Sequence, residues 1–134
     1  MTPAQLTSFA HSQMPFSEVL GLEIVSADHD RVEATGAHRP DRCTAGGVIH
    51  GGYLMAMADS VGALAAYLNI DESATTSTIE SKTNFLRPVS SGVIRFVATP
   101  IHVGRTVIVV QTDAHSEAEK LVSRTTQTQA VIQP

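Results

Sequence analysis

The chain has 134 residues, of which 43% are hydrophobic and 16% charged, and its formal net charge is −4. This length suits one domain with a real core, so we expect a single domain over residues 1–134. The nine lysines and arginines are scattered along the chain, which argues against a nucleic acid as a partner.

The cysteine count and the N-terminal residues indicate the compartment, and the longest apolar run indicates whether the chain crosses a membrane. Cys43 is the only cysteine, and the first residues lack the charged start and apolar run of a signal peptide, so we expect a cytoplasmic protein. The run from Tyr53 to Leu68 is shorter than the roughly 20 residues that span a bilayer, and Asp59 interrupts it. It predicts a buried helix, with no role for a membrane.

The N-terminal third of the chain predicts two short helices and a β-hairpin. Thr2 and Pro3 form a cap and first-turn pair that opens a helix through about His11. The stretch PFSEVLG predicts one more helical turn, which Gly21 ends. The next stretch, LEIVSADHDRVEATGAH, has β-branched residues on both sides of a polar DHD turn, which is typical of a hairpin.

The rest of the chain predicts a central helix followed by four strands. The helix lies within GGVIHGGYLMAMADSVGALAAYL, and the strands lie within TSTIESKTNFLRP, GVIRFVATPIHV, RTVIVVQTDAH and KLVSRTTQTQAVI, which we expect to form an antiparallel meander. Together these elements predict an α+β fold in which about six antiparallel strands wrap one long helix. Because this helix is apolar all round, the N-terminal helix or a second copy of the chain should cover its other side.

Asp59 is the single charged residue of the central helix. Burying an ionised carboxylate without a partner is costly, so such a residue is paired, protonated or placed where the helix meets a ligand. The alternative is a carboxylate that reaches a polar gap at the helix surface. Since the helix has no polar face apart from Asp59 and Ser60, the pattern favours a functional carboxylate.

Four glycines flank His50 just before the helix, at positions Gly46, Gly47, Gly51 and Gly52. They let the backbone approach a ligand closely, and the N–H groups of the first helical turn point at it with the positive end of the helix dipole. A turn needed only for chain reversal is the alternative. The lysine and Ser/Thr of a phosphate-binding loop are absent, so a developing oxyanion suits the site better.

The spacing of Gly51 and Asp59 constrains how both could act on one carbonyl group. They are eight residues apart, about 12 Å along a helix axis. A carbonyl oxygen held about 3 Å from the Gly51 amide is therefore out of reach of Asp59 on the same helix. Two such helices, antiparallel across a two-fold axis, would bring the start of each beside the carboxylate of the other. The sequence thus predicts a dimer with composite sites.

Three motifs in order, HGGYLMAMAD, NFLRPVSSG and HVGR, resemble the hotdog-fold acyl-CoA thioesterases, in the branch that includes phenylacetate-pathway and hydroxybenzoyl-CoA thioesterases. The similarity spans nearly the whole chain from PFSEVLGLEIV onward. It implies a hotdog fold, in which the sheet wraps the central helix and two protomers join their sheets edge to edge. It also implies dimers that often pair into tetramers, and an acyl-CoA substrate.

The resemblance implies roles for three residues at the start and middle of the helix. The carboxylate that attacks the thioester, or activates water to do so, corresponds to Asp59. The backbone N–H that polarises the thioester carbonyl corresponds to that of Gly51. His50 corresponds to the family's histidine, which shapes the loop and helps to hold the acyl group. A loop histidine that only satisfies backbone groups is the alternative.

The resemblance also points to polar and cationic positions. Thr44 stands where many relatives carry Asn or Gln as a second donor to the oxyanion. Ser77 or Thr78 falls where a hydroxyl orients the water, and only one of them can face the site because strand side chains alternate. The candidate cations for the coenzyme A phosphates are Arg87, Arg105 and Arg124, and the candidate acyl-pocket residues are Gly52, Tyr53, Leu54, Met57 and those near Phe16.

The sequence carries weaker signals for other functions. A Cys43/His50 nucleophile pair would lack a helix N-terminus at the cysteine and an orienting partner for the histidine. The six histidines are dispersed without a metal-ligand spacing, so we predict no metal, and no cofactor. The hotdog fold also serves dehydratases and non-catalytic acyl-CoA-binding proteins. A binding-only protein would gain nothing from the charge of Asp59, which favours the enzyme.

Overall fold

The N-terminal helices form as expected. A computed structural model describes residues 1–134, and its first helix, α1, spans Pro3–Gln13. The Thr2 hydroxyl accepts a hydrogen bond from the Gln5 N–H while the Gln5 side chain accepts one from the Thr2 N–H, which is a capping box. The second helix, α2, spans Pro15–Val19, and the chain turns away after it at Gly21, whose φ of 68° suits glycine.

The predicted hairpin is confirmed by strands β1, Glu23–Ala27, and β2, Val32–Ala37, which pair antiparallel. The Asp28 carboxylate closes the turn between them, because it accepts hydrogen bonds from the N–H groups of Asp30 and Arg31 at 2.8 and 3.0 Å.

The central helix, α3, spans Gly51–Tyr67, with His50 as its N-cap. Gly51 and Gly52 are thus the first two residues of the helix, whereas the sequence had indicated that the glycines precede it. The helix begins earlier than predicted because the His50 side chain supplies a cap that allows two glycines to start it. Gly46 and Gly47 lie in a short 3₁₀ turn, Ala45–Gly47, with φ values of 78° and 74°.

Four further strands complete one six-stranded sheet: β3 Thr75–Phe85, β4 Val93–Val103, β5 Val107–His115 and β6 Leu121–Ile132. The strand order is β1-β2-β4-β5-β6-β3, with every neighbouring pair antiparallel. The meander is confirmed for β4, β5 and β6 but is wrong for β3. The segment after β3 hydrogen-bonds to Val122 at the start of β6, and then carries the chain across to β4.

One face of the sheet packs on α3 and forms the core. Its largest fully buried side chains include Phe96, Ile94 and Ile108 from the strands, with Met57 and Val61 from the helix. None of the three helices has the length and apolar character needed to cross a bilayer.

The central helix is not fully enclosed within one chain. A stripe along α3 stays exposed, and it comprises Gly52, Met55, Asp59 and Tyr67. Helix α1 covers part of the helix, where the rings of Phe9 and Tyr67 lie 5.9 Å apart. Strand β3 is an edge strand whose side chains are mostly exposed along its whole length. The open stripe and the open edge leave room for a partner.

Candidate active site

The start of α3 presents one free backbone donor. His50 Nδ1 accepts a hydrogen bond from the Gly52 N–H at 2.7 Å, and the His50 carbonyl accepts from the N–H groups of Tyr53 and Leu54. The Gly51 N–H has no acceptor among the protein's hydrogen bonds. In this arrangement His50 shapes the loop, and the positive end of the helix leaves the Gly51 N–H available to a ligand oxygen.

Gly51 lies in the wall of a cavity of about 320 Å³ between the start of α3 and the segment that follows β3. A Cβ atom at Gly51 would stand 3.2 Å from the Phe85 ring, so the glycine allows this ring to pack closely on the helix start. Leu54 and Arg87 also line this cavity. The Arg87 guanidinium donates to the Leu121 carbonyl at 2.9 Å, which places a cation at the cavity without pairing it to a carboxylate.

Asp59 lies further along α3, on the exposed stripe. Its carboxylate makes no hydrogen bond or ion pair within the chain, and partial burial raises its pKa above the usual value of 3.8. Met55 lies one turn before it on the same stripe, and Tyr67 lies about two turns after it. Because α3 is continuous from Gly51 to Tyr67, the axial separation of Gly51 and Asp59 is about 12 Å. One chain therefore carries both groups, too far apart to act together on one carbonyl.

Thr78 and Ser77 lie on opposite faces of the sheet. Thr78 pairs with Gln129, whose side-chain amide donates to the Thr78 hydroxyl at 2.8 Å, and Gln129 is buried on the helix side of the sheet. Ser77 pairs with Ala130 and so points to the opposite face. Of these two candidates, only Thr78 lies on the face that packs on α3.

Thr44 is the N-cap of the 3₁₀ turn before the helix, but its side chain caps nothing. Its backbone N–H donates to the Val48 carbonyl at 2.8 Å, and the residue is exposed. The structure thus holds the Thr44 backbone in place and leaves its hydroxyl free.

The candidate cations differ in their surroundings. Arg124 forms two hydrogen bonds with the Asp113 carboxylate, at 2.8 and 2.9 Å, and this partner raises its pKa. Arg124 is therefore already neutralised on the outer face of the sheet. Arg105 has no carboxylate partner and lines an open cleft of about 780 Å³ near the C-terminal end of α3. Arg105 remains the better candidate for a phosphate.

The candidate acyl-pocket residues do not all lie together. Met57 is fully buried in the core, whereas Leu54 lines the Gly51 cavity. Tyr53 is also buried, which raises the pKa of its phenol, and its hydroxyl donates to the Leu20 carbonyl at 2.9 Å. Tyr53 and Gly52 line a different cavity, of about 480 Å³, together with Phe16.

The cysteine alternative is not supported by the geometry. Cys43 Sγ lies 3.2 Å from His38 Nε2, while the His50 ring is occupied with the Gly52 N–H. His38 Nε2 also lies 2.8 Å from the Gly47 carbonyl, to which it must donate. A protonated Nε2 cannot take the thiol proton, so Cys43 has no general base.

Two features were missed by sequence reasoning. Arg39 and Arg42 line the cavity beside His50, and Gln127 is buried under α3 with neither end of its amide hydrogen-bonded. An arginine in a loop and a glutamine in an alternating strand carry no sequence signal for either position, because both depend on how the loop and sheet pack on α3.

The fold and the sequence match known thioesterases. The family model described as thioesterase superfamily matches residues 46–123. The crystal structure of thioesterase HI1161 from Haemophilus influenzae has a TM-score of 0.91 and 34% identity, and the match covers 99% of this chain and 92% of that chain. A Haemophilus influenzae relative with an esterase name is 40% identical over 109 residues, 80% of this chain and 79% of the relative. The proofreading thioesterase EntH from Cronobacter turicensis is 33% identical over 93 residues, 66% of this chain and 64% of that protein.

One antiparallel sheet wrapped around one long helix is the hotdog fold. The chain belongs to the thioesterase superfamily. The expected family and fold are confirmed, and thioester hydrolysis is supported as the general activity. The particular branch of the family stays a prediction.

Proposed function

We propose that this protein hydrolyses acyl-CoA thioesters to the free acid and coenzyme A. The observation that carries the proposal is the unpaired carboxylate of Asp59 on the exposed apolar stripe of α3, combined with the free Gly51 N–H at the helix start. If a partner covers this stripe, the unpaired charge becomes buried at a cost in free energy, and a protein that only binds acyl-CoA would gain nothing from it.

In the proposed reaction, the Gly51 N–H donates to the thioester carbonyl oxygen and stabilises the negative charge that develops there. Asp59 either attacks the carbonyl carbon or takes a proton from the water that attacks it. The C–S bond breaks, and the thiolate of coenzyme A leaves and takes up a proton. If Asp59 attacks directly, water then hydrolyses the resulting anhydride and frees the carboxylate.

We infer that each site takes its N–H from one chain and its carboxylate from a partner. The 12 Å axial separation within one helix supports this arrangement. The open edge of β3 and the exposed stripe of α3 support a partner that covers both. Thr78 on the helix face is the hydroxyl proposed to orient the water, and Arg87 and Arg105 are the cations proposed for coenzyme A phosphates.

A cytoplasmic location belongs to the same proposal. The single free cysteine, Cys43, fits a reducing compartment.

The Asp59→Asn variant tests the role of the carboxylate. The amide keeps the shape of the side chain but cannot attack or accept a proton, so we expect thiol release to fall at least about 100-fold while acyl-CoA binding stays within a few-fold. Thiol release across a panel of aryl- and fatty-acyl-CoAs, and calorimetric binding, measure the two effects. Asp30→Asn, in the exposed hairpin turn, is the matched control and should keep the parent rate. Rates within tenfold of the parent for Asp59→Asn would remove Asp59 from the mechanism.

A further inference from the structure

A second cavity, of about 480 Å³, adjoins the start of α3 on the face that carries Gly52 and Ala56. Its volume lies within the usual range for small-molecule sites, roughly 300–1,000 Å³. Helix α2 contributes Phe16 and Val19, which are 60% and 75% exposed. Large apolar side chains exposed around a concave surface favour an apolar ligand body.

The charged side chains that line the cavity have a net positive charge. Arg39 donates two hydrogen bonds to the Asp41 carboxylate, both at 3.1 Å, and this bond is the main cause of the lowered pKa of Asp41. Arg42 has no carboxylate within 4.0 Å. Two guanidinium groups therefore face one carboxylate, and the cavity carries a net positive charge beside the positive end of α3.

Arg42 is held in place by the protein itself. Its guanidinium donates to the Ala37 carbonyl at 2.7 Å and stacks over the Tyr53 ring, 5.2 Å from the centroid. The group also packs against Gly21, where a Cβ atom would collide with it. A cation fixed in this way, with donors left over, needs little ordering to bind an anion.

We propose that this cavity binds an acyl group with an apolar body and a terminal carboxylate, and that Arg42 binds the carboxylate. The inference rests on the proposed thioester hydrolysis. The cavity adjoins His50 and Gly52, next to the N–H that polarises the thioester carbonyl. Arg87 and Arg105 are the cations proposed for the phosphates of coenzyme A, so we assign to Arg42 an anion that belongs to the acyl group. The substrate class is a mono-CoA thioester of a dicarboxylic acid.

Two matched substrates test this preference on the parent protein. Adipoyl-CoA and hexanoyl-CoA have acyl chains of equal length and differ in a terminal carboxylate against a methyl group. We expect kcat/KM to be at least about tenfold higher for adipoyl-CoA, as for a charge-assisted hydrogen bond. Equal rates, or a preference for hexanoyl-CoA, would overturn the proposal.

Arg42→Gln should lower kcat/KM for adipoyl-CoA about tenfold or more and leave hexanoyl-CoA within about twofold. Arg31→Gln, on the exposed hairpin, is the matched control and should change neither. If circular dichroism shows that Arg42→Gln does not fold, Arg42→Lys replaces it, because lysine keeps the charge but lacks the fork of donors that binds a carboxylate, so the preference for adipoyl-CoA should fall while hexanoyl-CoA is unaffected. Equal losses for both substrates in the folded variant would overturn the assignment.

Two further measurements separate the competing explanations. The same pair of acyl groups on N-acetylcysteamine, which lacks the phosphates, should show the same dependence on Arg42. If the Arg42 effect disappears on this carrier, the residue binds a coenzyme A phosphate and the proposal fails. Calorimetry on Asp59→Asn compares binding of adipoyl-CoA and hexanoyl-CoA directly. Selective binding of adipoyl-CoA without turnover by the parent would support this cavity while overturning the proposed hydrolysis.

Discussion

Asp59 and Gly51 each carry a polar group on α3 that has no hydrogen-bond partner within the chain. The Asp59 carboxylate has no partner, and the Gly51 N–H has no acceptor, although His50 satisfies the neighbouring N–H groups. Partial burial raises the pKa of Asp59, because removal from water disfavours the ionised form. The raised pKa makes the carboxylate a better proton acceptor than an ordinary aspartate, which suits a base or nucleophile.

The raised pKa predicts the direction of the pH dependence. In the proposed mechanism hydrolysis needs ionised Asp59, so kcat/KM should be constant at neutral pH and fall as the pH drops through a pKa above 3.8. A profile of kcat/KM from about pH 4 to pH 8 measures the midpoint. Circular dichroism over the same range controls for acid unfolding. A folded protein whose rate stays constant down to pH 4 would contradict a proton-accepting role for Asp59.

At the scale of elements, the contact between α3 and β6 depends on Gly62 and Gln127. The buried Gln127 side chain lies against the helix at Gly62, where a Cβ atom would collide with its amide oxygen. Neither end of the Gln127 amide has a hydrogen-bond partner. The helix and sheet therefore approach closely at a position that is not optimised for stability.

Gly62→Ala should destabilise the protein, although the same change in an exposed helix stabilises by about 1 kcal/mol. The added methyl group must displace a fully buried side chain, and such overpacking costs about 1–3 kcal/mol. Urea unfolding measures the change in the free energy of unfolding. Adding Gln127→Ala to Gly62→Ala removes the colliding atoms, so the double variant should lose less than the sum of the single changes. A more stable Gly62→Ala variant would show that the contact is loose.

At the scale of the whole molecule, the single chain leaves its sheet edge and its helix stripe uncovered. Strand β3 has no neighbour on one side, and Ile79 and Phe85 on this strand are exposed. Unpaired edges of this length favour pairing with another chain. A partner that covers both surfaces would bring a second α3 close to the first, as the proposed composite site requires.

Complementation between two inactive variants tests the composite site. Gly51→Pro removes the N–H at the first helical position, where proline is tolerated, and His50 already has the extended backbone that suits a residue before proline. Asp59→Ala removes the carboxylate. Each variant alone should be nearly inactive. Unfolding, mixing equal amounts and refolding should give about half mixed dimers with one intact site each, and so roughly a quarter of the parent activity.

Gly51→Ala is the matched control for this experiment, because it adds the same Cβ atom next to Phe85 but keeps the N–H. It should retain most of the activity. Sedimentation should show dimers or tetramers for the parent and for both variants. Mixed dimers confirmed by mass spectrometry but without recovered activity would place both groups of a site within one chain.

The sequence by itself determined the features that depend on neighbouring residues. The cap at Thr2, the stop at Gly21, the polar hairpin turn at Asp28 and the apolar run of α3 each involve interactions within a few positions, so pattern and turn chemistry predict them. The spacing of Gly51 and Asp59 is likewise a local property, since it follows from the rise of one helix.

Only the tertiary structure decided the features that depend on distant residues. Alternation with a period of two identifies the strands but not which strands pair. The pairing of β3 with β6, and the position of Thr78 on the helix side of the sheet, could therefore not be predicted. The exposed position of Asp59 depends on what the sheet and α1 leave uncovered. Arg42 is a fixed cation only because Ala37, Gly21 and Tyr53, remote in sequence, meet around it. Long-range packing sets these positions, and local residue patterns carry little information about it.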